Sequence, residues 1–185
     1  MTDHSRLVTL LASRSTKRGQ FTLASGKAST VYIDARLTTM SPEGLSLIGS
    51  LGLAALRTAG WQIDAVGGLT LGADPISYAI SYASASSDKP LKAFTVRREM
   101  KTHGTGKLIE GPFISGDRVA IVEDVITTGG SALRAIEVAR KEQGIVVGVL
   151  ALVDREEGGR EAIEAGGVEV ISMVRASEII SMMEG

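Results

Sequence analysis

The strongest constraint on the fold is an alternation of short apolar runs and amphipathic segments that begins near Ile63. The apolar runs predict strands at 63–68, 91–96, 119–122, 145–153 and 168–174, and the segments between them predict helices at 73–85, 131–143, 160–165 and 176–183. The run at 145–153 is continuously apolar, which is typical of a parallel strand covered on both faces. The pattern predicts an α/β fold with a mainly parallel twisted sheet flanked by helices, and ligands bind such sheets at the carboxyl ends of the strands.

The first 40 residues do not join this alternation. They begin with the spacing of a short amphipathic helix and become strand-like only at 31–33. A serine and a proline at 41–42 then predict the start of a helix that reaches Gly60. With 185 residues, we expect a single domain in which residues 1–40 form an N-terminal helix and a small hood and residues 61–175 form the α/β core.

Composition excludes several classes of protein. Twenty basic and 21 acidic residues give a net charge of -1, which argues against a nucleic-acid partner. The absence of cysteine excludes disulfides, thiolate metal sites and a cysteine nucleophile. No apolar stretch approaches the ~20 residues that a membrane span requires, and the first residues lack the apolar run of a signal peptide. We therefore expect a cytoplasmic protein with no membrane partner.

The most informative segment is VAIVEDVITTGGSA at residues 119–132. Its apolar strand is predicted to end at two carboxylates, Glu123 and Asp124, before a loop of small residues opens a helix. Backbone amides at a helix N-terminus bind anions, and glycines allow a phosphate to approach closely. Carboxylates instead suit sugar hydroxyls or the water shell of a metal ion. The segment therefore favours a phosphate site beside a ribose site, although an ordinary strand–turn–helix capped by Thr127 or Ser131 remains an alternative.

A second segment, FTVRREMKTHGTGKLIEG at residues 94–111, concentrates positive charge on a chain that is acidic overall. Its glycines predict a mobile loop. Such a loop can close over a diphosphate, exclude water and stabilise the charge of a leaving group. A solvated surface loop is the alternative.

These segments resemble a known family. The 119–132 segment resembles the ribose-5-phosphate-binding motif of type I phosphoribosyltransferases, which use 5-phosphoribosyl 1-diphosphate (PRPP). The 94–111 segment, with the spacing Arg-Arg-Glu-x-Lys-x-His-Gly-x-Gly, resembles the catalytic loop of orotate phosphoribosyltransferases. Residues 21–34, 67–72 and the pair Asp154-Arg155 resemble the same family in its base pocket, its diphosphate loop and its orotate-recognising arginine. The resemblance extends from about Leu7 to Val174.

The resemblance implies a type I phosphoribosyltransferase fold and transfer of the phosphoribosyl group from PRPP to orotate, with Mg²⁺, in UMP biosynthesis. It implies a homodimer whose loop 97–111 reaches the neighbouring subunit's site. The implied catalytic residues are Lys101, Glu123 and Asp124. The implied PRPP-binding residues are Thr70, Leu71, Arg97, Arg98, Lys101, His103, Glu123, Asp124, Val125, Ile126, Thr127, Thr128, Gly129, Gly130 and Ser131. The implied orotate-binding residues are Lys27, Tyr32, Ile33, Thr127 and Arg155, and the magnesium ion is expected to be held mainly by PRPP and water.

Some positions depart from the family pattern, and other functions fit parts of the sequence. Ala24 and Leu71 stand where many members have lysine, and Arg98 keeps the charge of the usual lysine without its ammonium geometry. The alternatives are a phosphoribosyltransferase for a purine or uracil, and a PRPP-sensing regulator that binds RNA or DNA on the same fold. A piece of a bifunctional enzyme with a decarboxylase is a third, but a β/α barrel of ~250 residues does not fit here. Arg155 also has the alternative of a surface arginine paired with Glu156 or Glu157.

Overall fold

A computed structural model describes residues 1–22, 28–99 and 107–184. The helices in these parts of the chain are α1 (Asp3–Leu10), α2 (Arg36–Thr39), α3 (Pro42–Thr58), α4 (Ala73–Ser84), α5 (Gly130–Lys141), α6 (Gly159–Glu164) and α7 (Ala176–Glu184). The strands are β1 (Thr16–Thr22), β2 (Ala28–Ile33), β3 (Ala65–Leu69), β4 (Lys92–Val96), β5 (Ile109–Glu110), β6 (Arg118–Ile126), β7 (Ile145–Asp154) and β8 (Glu169–Arg175). A π-helical turn, Leu11–Ser15, joins α1 to β1.

The central sheet has six strands in the order β5-β4-β3-β6-β7-β8. Every pairing in it is parallel except that of the short strand β5 with β4. Strand β7 is buried at every position from 148 to 154, as its apolar run predicts. The predicted α/β fold with a mainly parallel sheet flanked by helices is confirmed.

The N-terminal residues form a second, smaller sheet. Strands β1 and β2 pair antiparallel, with Thr16 opposite Ile33. The sequence pattern predicts only the end of β2, because basic and glycine residues in β1 interrupt any apolar alternation. Helix α1 buries Leu7 in the same hydrophobic core as Val122 of β6 and Leu150 of β7. The N-terminal segment is therefore packed on the main sheet.

Strand β6 is longer than its apolar run predicts. The predicted bounds of 119–122, with the strand ending at the two carboxylates, are too short, because β6 continues to Ile126, which pairs with Asp154 of β7. Pairing with a long, buried neighbour overrides the low strand propensity of the two acids.

Helix α3 starts where the sequence predicts, with the hydroxyl of Ser41 accepting a hydrogen bond from the backbone N–H of Gly44 at 3.1 Å. It packs closely on α4, since a Cβ at Gly49 would lie 2.7 Å from the carbonyl oxygen of Ala79. Among the described helices, none is both long and apolar enough to span a bilayer.

Candidate active site

A cleft of about 400 Å³ lies at the carboxyl ends of β3 and β6. It is lined by these predicted site residues: Tyr32, Ile33, Leu71, Arg98, Glu123, Asp124, Val125 and Ser131. Segments far apart in sequence thus converge at the edge of the sheet where ligands of parallel sheets bind.

The two acids at the cleft have different environments. The side chain of Glu123 is buried, and its Oε2 atom has no hydrogen-bond partner in the described parts of the chain. Burial raises the pKa of Glu123 well above its usual value, the adjacent charge of Asp124 raises it further, and Arg98 opposes the shift. Asp124 is half-buried, and its Oδ1 accepts a hydrogen bond from the N–H of Val125 at 2.9 Å. A carboxyl group that keeps its proton can donate a hydrogen bond to a hydroxyl as well as accept one.

The loop after β6 leads directly into α5. Gly129 has φ of 81°, and a Cβ there would lie 2.8 Å from the carbonyl oxygen of Gly159, so the tight turn requires glycine. Gly129 is itself the N-cap of α5 and offers no side chain. Capping by Thr127 or Ser131, the plain alternative, is therefore not observed. The N-terminal amides of α5 have no side-chain cap, which is the condition for an anion site.

The turn after β3 lies against the acids. The Thr70–Leu71 peptide bond is cis, and Thr70 donates a hydrogen bond from Oγ1 to Asp74 Oδ2 at 2.7 Å. A Cβ at Gly72 would lie 2.6 Å from the carboxylate of Asp124. Leu71 is about half exposed at the cleft, where it presents no charge.

Part of the predicted basic loop can be placed. Arg98 donates a hydrogen bond from Nε to the carbonyl oxygen of Thr70 at 3.1 Å, which holds it beside the cleft. Arg97 does not line the cleft and forms an ion pair with Glu110 at 3.3 Å. The predicted residues Lys27, Lys101 and His103 lie outside the described residues, as does the departure at Ala24.

Arg155 follows β7 at the same edge of the sheet. Its N–H donates to the carbonyl oxygen of Ile126 at 3.0 Å, next to the start of the 127–131 loop. Its side chain is 7% exposed, and Nη2 donates to the Val31 carbonyl oxygen at 3.2 Å, one residue before Tyr32. The alternative of a surface arginine is wrong, because the side chain of Arg155 is buried. The pairing with Glu157 that this alternative included is observed.

The remaining predicted residues surround the cleft without lining it. Ile126 is buried in the core, Thr128 and Gly130 are exposed at the start of α5, and Thr127 is half-buried between them.

Sequence reasoning missed an ion pair in the cleft wall. Arg36 donates from Nε to Asp34 Oδ1 at 2.8 Å and from Nη2 to Oδ2 at 3.0 Å, and both residues line the cleft. The hydrogen bond from Arg36 lowers the pKa of Asp34. The sequence does contain a sign of this pair, since Asp34 and Arg36 are two residues apart and directly follow the apolar end of β2.

No group of three or more possible metal ligands among His, Cys, Asp and Glu occurs in the described residues. Glu123 and Asp124 are the carboxyl pair at the cleft. Two carboxyl groups with substrate phosphates are a donor set that suits Mg²⁺, which retains water and phosphate ligands.

Comparison with known proteins identifies the family. No family model matches the chain. The orotate phosphoribosyltransferase of Aquifex aeolicus is 45% identical over 183 residues, which cover 97% of this chain and 99% of the relative. The crystal structure of Mycobacterium tuberculosis orotate phosphoribosyltransferase with Fe(III) dicitrate has a TM-score of 0.83 and 41% identity, covering 96% of this chain and 99% of that one. The structure of the M. tuberculosis protein with PRPP has a TM-score of 0.79 and 40% identity, with the same coverage.

These similarities extend over nearly the whole chain. They confirm the type I phosphoribosyltransferase fold predicted from the sequence. The chain belongs to the orotate phosphoribosyltransferase family.

Proposed function

We propose that the protein transfers the 5-phosphoribosyl group from PRPP to orotate, which yields orotidine 5'-monophosphate and diphosphate for UMP biosynthesis. The observation that carries the proposal is what meets at one edge of the sheet. Two carboxyl groups and Ser131 of the uncapped helix α5 line the cleft, and Arg155, whose side chain is buried, follows the neighbouring strand β7. These groups match a phosphate, a ribose and an anionic base in turn.

PRPP would lie along the cleft with its 5'-phosphate at the start of α5. The amides and hydroxyls of residues 127–131 are suited to that phosphate, and Glu123 and Asp124 are suited to the ribose hydroxyls. The diphosphate would be held by backbone of the 70–72 turn with Arg97, Arg98, Lys101 and His103. Val125 and Ile126 contribute the strand end that aligns these groups.

Orotate would lie between β2 and the end of β7. Tyr32 and Ile33 supply apolar surface, while Arg155, Lys27 and Thr127 supply polar groups. In the reaction, the N1–carbon bond to the ribose forms as the carbon–oxygen bond to diphosphate breaks with inversion, and the proton of N1 passes to water or to the departing diphosphate. The protein's contribution is to align the reactants and to stabilise the charge of the leaving group.

We propose Mg²⁺ as the cofactor. It would be held mainly by PRPP oxygens and water, with Glu123 and Asp124 next to its water shell. When bound, it would neutralise charge on the diphosphate. In this arrangement the proposed PRPP-binding residues contact PRPP, and none of them coordinates the metal ion directly.

Lys101 is our choice for the most rate-critical side chain. We expect Lys101→Ala to lower kcat more than it weakens PRPP binding, because a cation over the leaving group acts mainly in the transition state. Single-turnover kinetics with a PRPP-binding titration would measure both. Weaker binding at unchanged kcat would contradict this role.

We propose a homodimer in which loop 97–111 reaches the neighbouring subunit's site. The exposed side chains of Tyr78 and Tyr82 on α4 support this arrangement. Tyr78 is hydrogen-bonded to Thr95 at 2.9 Å, next to the start of that loop, so a neighbouring subunit on this face would lie within reach of the loop.

Mixing inactive Lys101→Ala chains with inactive Asp124→Asn chains should restore activity through hybrid dimers. No recovery on subunit exchange would exclude a shared site.

A base-consumption assay tests the function. The protein, Mg²⁺ and PRPP are mixed with orotate, uracil, adenine or hypoxanthine, and the absorbance of each base is followed. We expect consumption of orotate alone. Consumption of another base instead would replace the proposed substrate, and consumption of none would favour a PRPP-sensing regulator.

We further propose that the chain is one domain. The core that α1 shares with β6 and β7 supports this proposal. The cytoplasmic location stays a prediction.

A further inference from the structure

Glu157 is joined to Arg155 in a partly buried ion pair to which the proposed mechanism gives no role. Its Oε1 accepts a hydrogen bond from Arg155 Nε at 2.9 Å and lies 2.8 Å from Nη2. The intervening residue, Glu156, has φ of 59°, and its N–H donates to Asp154 Oδ1 at 2.8 Å. This tight turn brings the carboxylate of Glu157 back onto the arginine two residues earlier.

The guanidinium is held on two of its three nitrogens. Nε is bonded to Glu157, while Nη2 donates to Ser29 Oγ at 3.1 Å and to the Val31 carbonyl oxygen at 3.2 Å. In the described parts of the chain, none of the guanidinium's hydrogen bonds involves Nη1. The plane of the guanidinium is therefore fixed by three acceptors on two segments, and the two N–H groups of Nη1 remain for a ligand.

Stability does not account for the carboxylate. The side chain of Glu157 is 24% exposed, and its Oε2 atom is buried without a hydrogen-bond partner in the described part of the chain. Burying an ion pair costs desolvation that its attraction often fails to offset, and an unpaired carboxylate oxygen adds to that cost. Because burying this carboxylate costs stability, its effect on the orientation of Arg155 explains its position better.

We propose that Glu157 is a positioning residue for the base: as a hydrogen-bond acceptor it orients the guanidinium of Arg155 towards the carboxylate of the pyrimidine substrate. The inference rests on the proposed function, in which Arg155 binds orotate. Recognition of a carboxylate by a guanidinium depends on the relative orientation of the two planar groups. An arginine free to rotate would lose part of that interaction with the base, while PRPP, which is bound by other groups, would bind as before.

Steady-state kinetics on Glu157→Ala and Glu157→Gln test the role. Alanine removes the acceptor, and we expect the KM for orotate to rise on the order of tenfold, with kcat and the KM for PRPP unchanged within about threefold. Glutamine keeps a carbonyl acceptor for Nε–H and should restore the KM for orotate to within about threefold of wild type. Glu161→Ala removes a nearby exposed carboxylate of α6 and serves as the matched control.

Three results would overturn the inference. They are an unchanged KM for orotate in Glu157→Ala, a glutamine variant as impaired as the alanine variant, and a parallel change in Tm, kcat and both KM values. The last would assign Glu157 to folding alone.

A second measurement does not depend on turnover. In ¹⁵N-labelled protein, the Nε–H signal of Arg155 can be assigned by its loss in Arg155→Lys. The Nε–H proton should exchange slowly with water in wild type and in Glu157→Gln, and rapidly in Glu157→Ala. The same protection in Glu157→Ala would show that Glu157 does not hold the arginine. If the wild-type protein consumes no orotate, the proposed function fails, and this signal still decides whether the pair positions Arg155.

Discussion

At the scale of single residues, the burial of Glu123 links protonation to stability. Burial raises its pKa, so the folded protein favours the protonated carboxyl. Well below the usual glutamate pKa of 4.5, this carboxyl is protonated in both the folded and the unfolded chain. As the pH rises towards the folded pKa, only the unfolded chain ionises, and the folded state loses stability by about 1.4 kcal/mol for each unit of pKa difference.

Glu123→Gln is neutral at every pH and should lack this loss. We expect the Tm of the variant minus that of wild type to increase from pH 4.5 to pH 8, by about 2–4 °C per kcal/mol of charge burial for a chain of this size. Calorimetry across the pH range measures the difference. A constant difference would show that Glu123 ionises as readily in the folded protein as in the unfolded chain.

Gly72 controls the position of Asp124. The Cβ of Gly72→Ala would lie 2.6 Å from the carboxylate, which can rotate away at little cost to the fold. We expect Tm to fall by less than about 3 °C, while kcat/KM for PRPP falls on the order of tenfold. Gly166→Ala, at the end of α6, should leave kcat/KM unchanged. Equal kinetics in Gly72→Ala and wild type would mean that Asp124 tolerates displacement.

At the scale of elements, the two glycines at the start of α5 have different roles: Gly129 is required by the fold, whereas Gly130 is expected to matter for binding. A Cβ at Gly130 would have only Thr128 Oγ1 within 4 Å, at 3.8 Å. Gly130→Ala should therefore keep or raise stability by up to ~1 kcal/mol through helix propensity, yet raise the KM for PRPP by placing a methyl group where the phosphate approaches. Gly129→Ala should instead destabilise by ~1–3 kcal/mol, because φ there is 81°. Thermal unfolding and PRPP kinetics on the two variants would be compared. A destabilised Gly130→Ala with normal PRPP kinetics would contradict the assignment of this helix start to phosphate.

The sequence predicted the elements whose pattern is local and missed those that depend on pairing. Helix α3 and strand β7 follow from a cap and from a continuous apolar run. Strand β1 and the last four residues of β6 have no such pattern, and they exist because β2 and β7 offer hydrogen-bonding edges. The site shows the same division: the acids and the 127–131 loop were visible as a motif. The pair Asp34–Arg36 was missed, and the partner of Arg155 was left open between Glu156 and Glu157, because spacing alone does not determine how a turn places side chains.

At the scale of the whole molecule, the face formed by α3 and α4 exposes apolar surface. A groove of about 490 Å³ between α3 and α4 is lined by small and apolar residues and flanked by Tyr78 and Tyr82, which are 52% and 85% exposed. Leu37 and Met40 of the adjoining α2 region are also about half exposed. Exposed apolar surface of this kind marks interaction sites. A second copy of the chain on this face would bring loop 97–111 of each subunit close to the other, as the proposed shared site requires.

Tyr82→Glu tests that arrangement, because a carboxylate buried without a partner would oppose association. We expect wild type to sediment at twice the chain mass of 19.3 kDa and Tyr82→Glu to sediment mainly at 19.3 kDa. Its activity should fall with dilution, because each site would lose its neighbour's loop. Ile114→Glu, at an exposed isoleucine outside the groove, should remain dimeric. A monomeric wild type with full activity would remove the shared site, whereas a dimeric Tyr82→Glu would place the interface on another face.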